Sequence, residues 1–528
     1  MILTYTSLLR LKVLLLLCAI LVLPQAQAQT KADLNKLDAY YQKALKDWDV
    51  PGMAIAIVKD DSVIFAKGYG VLDNKKGGQV DANTVFGIAS NSKAYTAAAL
   101  ATLVDAGKIS WKDKVKKYVP NLQLYDPFVT ENLTIEDLLS HRVGFKTYSG
   151  DLLWYNTTYS REEIIHRMRY LKPTYNFRDG YGYSNLMFIT AGQVIENVSG
   201  KSWENYIKET FLQPLGMSRT YTSVNDLKGV NNVASPHGFD ENSKPYATTQ
   251  VAWDNWNPAA GIFTSVNQQA QWMRLQLNRG TYKGKRIFSE NASRNMWAPH
   301  NPMPISKRAE EITPSTHFAA AALGWFVSDY EGRKLIYHGG GHEGMNSRTV
   351  LVPEEKLGIV ILTNSMSSIM APLANYTIDQ FLGINNGRDW SRFNLDAAAQ
   401  AKKAQAKAEE NKPKEKKKAG KPTRDLNDYV GTYRSQLYGD ATITLKNGKL
   451  ELQLLPAPAL GGTLNFWQHE IFDLDWRNDF ALLHPTKVRF LVGEDGSIAQ
   501  MRLDSNNPDF HFDELEFVRV PAGASAQR

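Results

Sequence analysis

Phe86-Gly87-Ile88-Ala89-Ser90-Asn91-Ser92-Lys93-Ala94-Tyr95 contains the only Ser-x-x-Lys of the chain. The Ala- and Leu-rich run that follows, Ala94 to Ala106, predicts a helix stopped by Gly107, a residue favoured just past helix ends. With Ser90 at the helix N-terminus, Lys93 lies one turn on, on the same face and beside the hydroxyl. Serine is a poor nucleophile until a neighbour takes its proton, and lysine does that only with a depressed pKa. Burial and a nearby helix N-terminus both depress it. A Ser and a Lys three apart also arise by chance in a chain of 528 residues, so the surrounding sequence has to decide.

Two further stretches have chemical character. Gly180-Tyr181-Gly182-Tyr183-Ser184-Asn185 is a glycine-flexed loop opening into a helix. There a phenol at Tyr183 is placed to share a proton with Lys93, and the Asn185 amide to hold a substrate carbonyl. A core aromatic is the plain alternative for Tyr183. Tyr337-His338-Gly339-Gly340-Gly341-His342-Glu343-Gly344 closes a predicted strand, where glycines mark close approach of a ligand or another backbone. His338-Gly-Gly-Gly also imitates the oxyanion motif of lipases, but no Gly-x-Ser-x-Gly elbow exists to go with it. His338, His342 and Glu343 are not spaced as His-Glu-x-x-His and are too glycine-rich for a helix, so no metal site is assigned. Gly200-Lys201-Ser202 lacks the upstream glycine of a phosphate loop, since Ile195 stands there.

Around these stretches the periodicity alternates between strand and helix. Lys31–Trp48 reads as a helix, Met53–Lys59 and Ser62–Gly70 as a hairpin, and Thr134 with Asp137 as a capping box. Arg161–Tyr170 and Leu186–Val198 continue a helical middle. Ala319–Asp329, Arg333–His338, Arg348–Val352 and Gly358–Thr363 read as strands, and Ile369–Leu382 as a closing helix. Strands at both ends of a helical middle predict an α+β fold, an antiparallel sheet flanked by helices with an all-helical lobe. Beyond them, Asn447-Gly448 between Thr442–Lys446 and Lys449–Leu455 predicts a hairpin. Further strands are expected at Leu464–Trp467, Phe480–Leu483, Lys487–Val492, Ile498–Leu503 and Glu514–Val520, making a small all-β barrel domain.

Charge and composition set the remaining bounds. Arg10 and Lys12 precede eleven apolar residues, Val13 to Leu23, and then Ala26-Gln27-Ala28, the pattern of a secretory signal peptide cleaved near Ala28. Eleven residues fall short of the roughly 20 that span a bilayer, so no transmembrane anchor is expected. Cys18, the only cysteine, leaves with that segment, which excludes disulfides and a thiol nucleophile. The net charge of +7 sits in Ala397–Arg424, with nine Lys and one Arg against three Glu. That run reads as a solvated linker, and no nucleic-acid partner is expected. The expected organisation is signal peptide 1–28, hydrolase domain 29–395, linker 396–424, β domain 425–520 and tail 521–528.

In this order, Ser90-x-x-Lys93, Tyr183-x-Asn185 and His338-Gly339-Gly340 resemble the serine β-lactamase and penicillin-binding-protein superfamily, in the branch that includes class C β-lactamases, D-aminopeptidases and esterases. Val50-Pro51-Gly52, Leu138-Leu139-Ser140-His141, Phe211–Met217 and Ala260–Ser265 look like landmarks of the same family, and the likeness covers about Lys31 to Gly383. The resemblance implies a cofactor-free, exported serine hydrolase, periplasmic or secreted, acting on a small ester or amide through an acyl-enzyme on Ser90. A peptide with D-residues, cell-wall-derived or otherwise, is the implied substrate; a β-lactamase, a peptidoglycan carboxypeptidase and a penicillin-binding sensor without turnover are the alternatives. Lys93 and Tyr183 would share the acid–base work, Asn185 would contact substrate, and the N–H groups of Ser90 and Gly341, beside Gly340, would form the oxyanion hole. The β domain resembles the lipocalin-like module that follows some members, and is expected to tune access or assembly and supply no catalytic group. One departure is His338, where relatives carry the Lys of Lys-Thr-Gly. An ordinary histidine titrates near ~6.5 and would clamp a substrate carboxylate only below that pH.

Overall fold

The computed structural model describes residues 32–521 apart from 241–243, 249, 252–253, 386, 411–421, 479 and 481. The expected signal peptide lies outside the described residues. After helix α1, Leu34–Asp47, comes strand β1, Gly52–Lys59, apolar and buried at every position except Lys59. Such a continuous run belongs to a strand covered on both faces. Met53, Ile55 and Ile57 pack against Leu37 and Tyr41 of α1 in one core. Ala54, Ala56 and Val58 face the other core, where small side chains let helices come close.

Ser62–Asp73 (β2) and Gly77–Gln79 (β3) extend the sheet on one side of β1. Helices Ser92–Asp105 (α2) and Asn185–Ser199 (α3) belong to the same core as helix Val266–Leu277 (α4), which packs on the second face of the sheet. The remaining strands are Asn301–Met303 (β4), Ala319–Ala321 (β5), Phe326–Tyr330 (β6), Arg333–His342 (β7), Met345–Val352 (β8) and Leu357–Thr363 (β9). They complete a nine-stranded antiparallel sheet in the order β4-β5-β6-β7-β8-β9-β1-β2-β3. Helix Met370–Leu382 (α5) joins α1 over the first face. The chain ends of this body therefore meet in the middle of the sheet, where β1 pairs with β9. The expected α+β architecture is present, with its helical lobe on the α2 side.

Helix α2 is buried on every side from Ser92 to Ala101. A helix apolar all round is a core helix, and its alanines allow neighbours on each flank. The expected capping box is also present, Thr134 and Asp137 serving each other's backbone N–H. The strand expected over Ala319–Asp329 is in fact two, β5 and β6, because the chain turns at Gly324 with φ +72°. A Cβ there would lie 2.5 Å from the carbonyl oxygen of Lys93, so the turn needs glycine for both conformation and space.

The C-terminal domain is a closed eight-stranded antiparallel barrel running from Gly431–Ser435 to Phe517–Arg519. Asn447 and Gly448 both have positive φ, as a two-residue hairpin turn requires. Two of its strands, Gly431–Ser435 and Ile471–Trp476, were not among those read from sequence. Of Phe480–Leu483, read as a strand, the described residues Phe480, Leu482 and Leu483 lie outside any strand, and residue 481 lies outside the described residues. Part of the expected linker is ordered as helix: Trp390–Glu410 continues through its alanine-rich first half, residues with high helix propensity.

That helix is tied to the body by Asp379, a buried carboxylate that accepts from the Trp390 indole N–H at 2.7 Å and the Tyr330 hydroxyl at 2.6 Å. Burial pushes its pKa up. Asp379→Ala would leave two buried donors without an acceptor. The expected outcome is a loss of about 2–4 kcal/mol, read as a lower urea midpoint in a protein that still hydrolyses its substrate.

Candidate active site

Ser90 lies in a single turn of 3-10 helix, Ala89–Asn91, that leads into α2. Ala89 has φ +45°, uncommon for any residue with a side chain. Strain of this kind persists only where the surroundings hold it, and here they do. The Ser347 hydroxyl on β8 donates to the Ile88 carbonyl at 2.6 Å and accepts from the Asn91 amide at 2.8 Å. The turn is therefore latched to the sheet from both sides, leaving Ser90 partly exposed beside the pocket.

Lys93 is fully buried, and its Nζ lies 3.0 Å from Ser90 Oγ. It also donates to Asn185 Oδ1 at 2.7 Å and to the Ala259 carbonyl at 3.0 Å. Burial lowers the lysine pKa to about 7, against the opposing pull of Asp151. A neutral lysine has two N–H donors and one lone pair. The two donors are taken by Asn185 and Ala259, so the lone pair is left facing the serine hydroxyl.

Asn185 is itself held by Asp151, whose Oδ2 accepts from its amide at 2.6 Å. This buried carboxyl has its pKa raised to about 7 by burial, with the Trp154 indole, Asn185 and Lys93 pulling the other way. Asp151 has no counterpart in the sequence reading. It stands 34 residues before Asn185 and meets it only through the fold. Tyr183 is buried next to Ser90, whose hydrogen bond opposes a strong upward shift caused by burial, so the phenol keeps its proton near neutral pH. Its ring stacks on His141 at 4.4 Å between centroids. His141 Nδ1 accepts from the Ser184 N–H at 3.1 Å, and burial holds the imidazole neutral. His141 thus fixes the plane of Tyr183, a positioning role that the sequence marked only as part of a family landmark.

Strand β7 brings the glycines to the nucleophile. A Cβ on Gly340 would lie 2.2 Å from the Ile88 carbonyl oxygen, 2.4 Å from Ser347 Oγ and 3.1 Å from Ser90 N. Gly340 therefore packs behind the serine turn, while Gly339 and Gly341 line the pocket. His338 also lines it, and here an expectation is corrected. Burial, reinforced by the Lys93 charge, lowers the His338 pKa to about 3. The imidazole is neutral across the range in which a carboxylate clamp was expected to switch. Its Nδ1 lies 2.5 Å from the Gly339 carbonyl, so Nδ1 carries the hydrogen and Nε2 is an acceptor.

The pocket holds about 380 Å³, within the size range of small-molecule sites. Its wall also includes Leu482, Asp509 and Phe510 of the barrel domain. Phe510 packs on Tyr155 at 4.1 Å between centroids. Glu514 accepts from the Ser149 hydroxyl at 2.5 Å and the Gly150 N–H at 2.8 Å, and His511 bonds the Thr147 carbonyl at 2.7 Å. Glu343, weighed above as a metal ligand, accepts instead from the Tyr155 hydroxyl at 3.1 Å and the barrel's Leu482 N–H at 3.3 Å.

Comparison with known proteins agrees with this geometry. A family model described as Beta-lactamase matches residues 37–382, and one for a domain of unknown function, DUF3471, matches residues 415–519. The "Unguisins hydrolase ungD'" of Aspergillus campestris (strain IBT 28561) is 30% identical over 445 residues, 79% of each chain. "Protein flp" of Staphylococcus aureus (strain NCTC 8325 / PS 47) is 25% identical over 358 residues, 67% of each. Among solved structures, the octameric penicillin-binding protein homologue from Pyrococcus abyssi superposes with TM-score 0.60 at 21% identity, covering 92% of this chain and 100% of that one.

The closeness of Gly340 to the serine turn gives a direct check. Gly340→Ala has to push β7 away from Ile88 and Ser347, moving the strand off the nucleophile. The expected result is a soluble protein of unchanged far-UV circular dichroism whose reaction with a serine-directed fluorophosphonate slows at least about a hundredfold, the scale of losing an oxyanion donor.

Proposed function

The chain belongs to the Beta-lactamase family of serine hydrolases, and on that premise we propose that it cleaves a small ester or amide through an acyl-enzyme on Ser90. The observation that carries this reading is the buried Lys93, 3.0 Å from Ser90 Oγ with its other bonds already assigned. In the first step Lys93 takes the Ser90 proton as Oγ attacks the substrate carbonyl. The N–H groups of Ser90 and Gly341 receive the oxyanion. Tyr183, still protonated, gives its proton to the leaving group and recovers one through Lys93, so charge and protons balance in each half-reaction. Asn185 holds Lys93 in register and offers its amide edge to the substrate. Water then attacks the acyl carbonyl with the same groups in reverse.

No helix among the described residues is long and apolar enough to cross a membrane. Export through the Arg10–Ala28 segment, to a periplasmic or extracellular location, is part of the proposal and rests on that sequence pattern. A peptide containing D-residues remains the proposed substrate class by family likeness. β-Lactam or peptidoglycan carboxypeptidase activity is disfavoured by the pocket, whose described lining has a neutral His338 and no Lys or Arg to hold a carboxylate.

A fluorophosphonate probe is expected to label the wild-type protein, and Ser90→Ala to abolish labelling and hydrolysis of a chromogenic ester together. Labelling that survives in Ser90→Ala ends the mechanism, and a single burst without turnover in the wild type assigns the protein as a sensor.

The pH profile tests the base. Lys93 must be neutral to accept a proton, so kcat/KM on an uncharged ester should climb with pH and be half-maximal near pH 7, where the lysine loses its charge. Asp151 is the charge that holds the Lys93 pKa up. Asp151→Asn should therefore move the acid limb to lower pH, a displacement that simple loss of packing would not produce.

A further inference from the structure

The edge of the large sheet reaches back into the turn that carries His141. Asn301 is the first residue of edge strand β4 and is buried, with 5% of its surface exposed. Its side-chain amide donates to the carbonyls of Ser140 at 3.2 Å, His141 at 3.2 Å and Gly180 at 3.0 Å. All three neighbours are acceptors only, which fixes the amide nitrogen as the atom that faces them. Bonds run in the other direction as well. Arg142 donates to the His300 carbonyl at 2.7 Å, and its other two nitrogens hold Asp137 at 2.6 Å and Glu136 at 2.7 Å. The pair His141-Arg142 is thus stitched to the pair His300-Asn301 from both sides.

What this clamp holds is the pair of segments that carry the phenol. His141 has φ +58°, a backbone conformation that few residues with a side chain adopt, so its turn needs support from outside. Its carbonyl also accepts from the Gly182 N–H at 3.0 Å, which ties the turn to the loop ending in Tyr183. Gly182 lies so close that a Cβ there would stand 1.7 Å from the Phe145 carbonyl oxygen. The imidazole of His141 then stacks on the Tyr183 ring and accepts from the Ser184 N–H. Asn301 bonds both segments at once, the turn through Ser140 and His141 and the loop through Gly180. It is not one of the residues that line the pocket. We propose that Asn301 is a positioning residue: by clamping the His141 turn to the Gly180 loop, it sets where the Tyr183 phenol stands relative to the leaving group. The proposal rests on the reading of Tyr183 as the acid that protonates that group. An alkoxide needs this proton to depart, whereas p-nitrophenolate leaves without it.

The test compares full-length wild type, Asn301→Ala, Tyr183→Phe and the double variant on p-nitrophenyl butyrate and ethyl butyrate. In Asn301→Ala, kcat/KM on the ethyl ester is expected to fall at least about tenfold further than on the p-nitrophenyl ester, the direction in which Tyr183→Phe also discriminates. General loss of packing would lower both alike. In the Tyr183→Phe background, Asn301→Ala should cost less than about twofold on the ethyl ester, because the acid it positions is already gone. A crystal structure of Asn301→Ala should show the Tyr183 ring moved by roughly 1 Å, a misplacement able to cost about a hundredfold. An unmoved ring overturns the proposal whatever the kinetics. So does an Asn301→Ala that loses equally on the two esters while Tyr183→Phe discriminates between them, and so does full additivity in the double variant. Equal losses in Tyr183→Phe itself would instead remove the acid role of Tyr183, and the position of the ring in Asn301→Ala then decides the clamp alone. If Asn301→Ala does not fold, Asn301→Ser, which keeps a donor at the same place, is read in the same way.

Discussion

A single desolvated amine organises the centre of this protein. Lys93 has no exposed surface, and an ammonium group placed there would be far from water. The chain responds in two ways at once. It supplies three oxygen partners at hydrogen-bond distance, and it lets the pKa fall to about 7 so that the neutral form is accessible. Each partner comes from a different element: the serine turn, the start of α3 and the short helix Asn257–Ala260. The lysine is thus the point at which helical lobe and nucleophile are brought into register, and the alanines of α2 let its neighbours approach.

Three close approaches around that helix show how narrow the tolerance is. Gly324 meets the Lys93 carbonyl, Gly340 meets the serine turn, and Gly87 lets Phe263 and Met345 within contact distance. Gly87 and Gly340 stood in stretches that looked chemical in the sequence, and Gly324 did not. Gly324 was read as the middle of a strand, because nothing local marks a turn whose purpose is to contact a helix more than two hundred residues away. The same limit applies to Ala89: its positive φ is imposed by Ser347 and Ile262, and no local propensity announces it.

What was legible in the sequence follows one rule. Ser90 and Lys93 share a helical turn, Tyr183 and Asn185 share a loop, and the barrel hairpin is set by Asn447-Gly448, so local spacing and turn chemistry reveal them. The Asp151–Asn185 bond, the His141–Tyr183 stack and the entry of Phe510 into the pocket join residues that are distant along the chain. Composition and periodicity carry no information about those pairings. His338 was found but its charge was misjudged, since a reference pKa describes a solvated ring and this one is buried near the Lys93 amine.

That neighbour explains why histidine suits the position. A permanent cation on β7 would repel the Lys93 ammonium and lower its pKa further, whereas a neutral imidazole leaves Asp151 as the charge that the lysine feels. In this chain burial lowers the Lys93 pKa and Asp151, bonded to Asn185 behind it, opposes that shift. The body holds the proton-transfer groups in fixed geometry, and the barrel, joined by contacts at Thr147, Ser149 and Glu343, contributes the outer wall. That wall lies apart from the bonds to Asn185 and Ala259 that hold Lys93 in place.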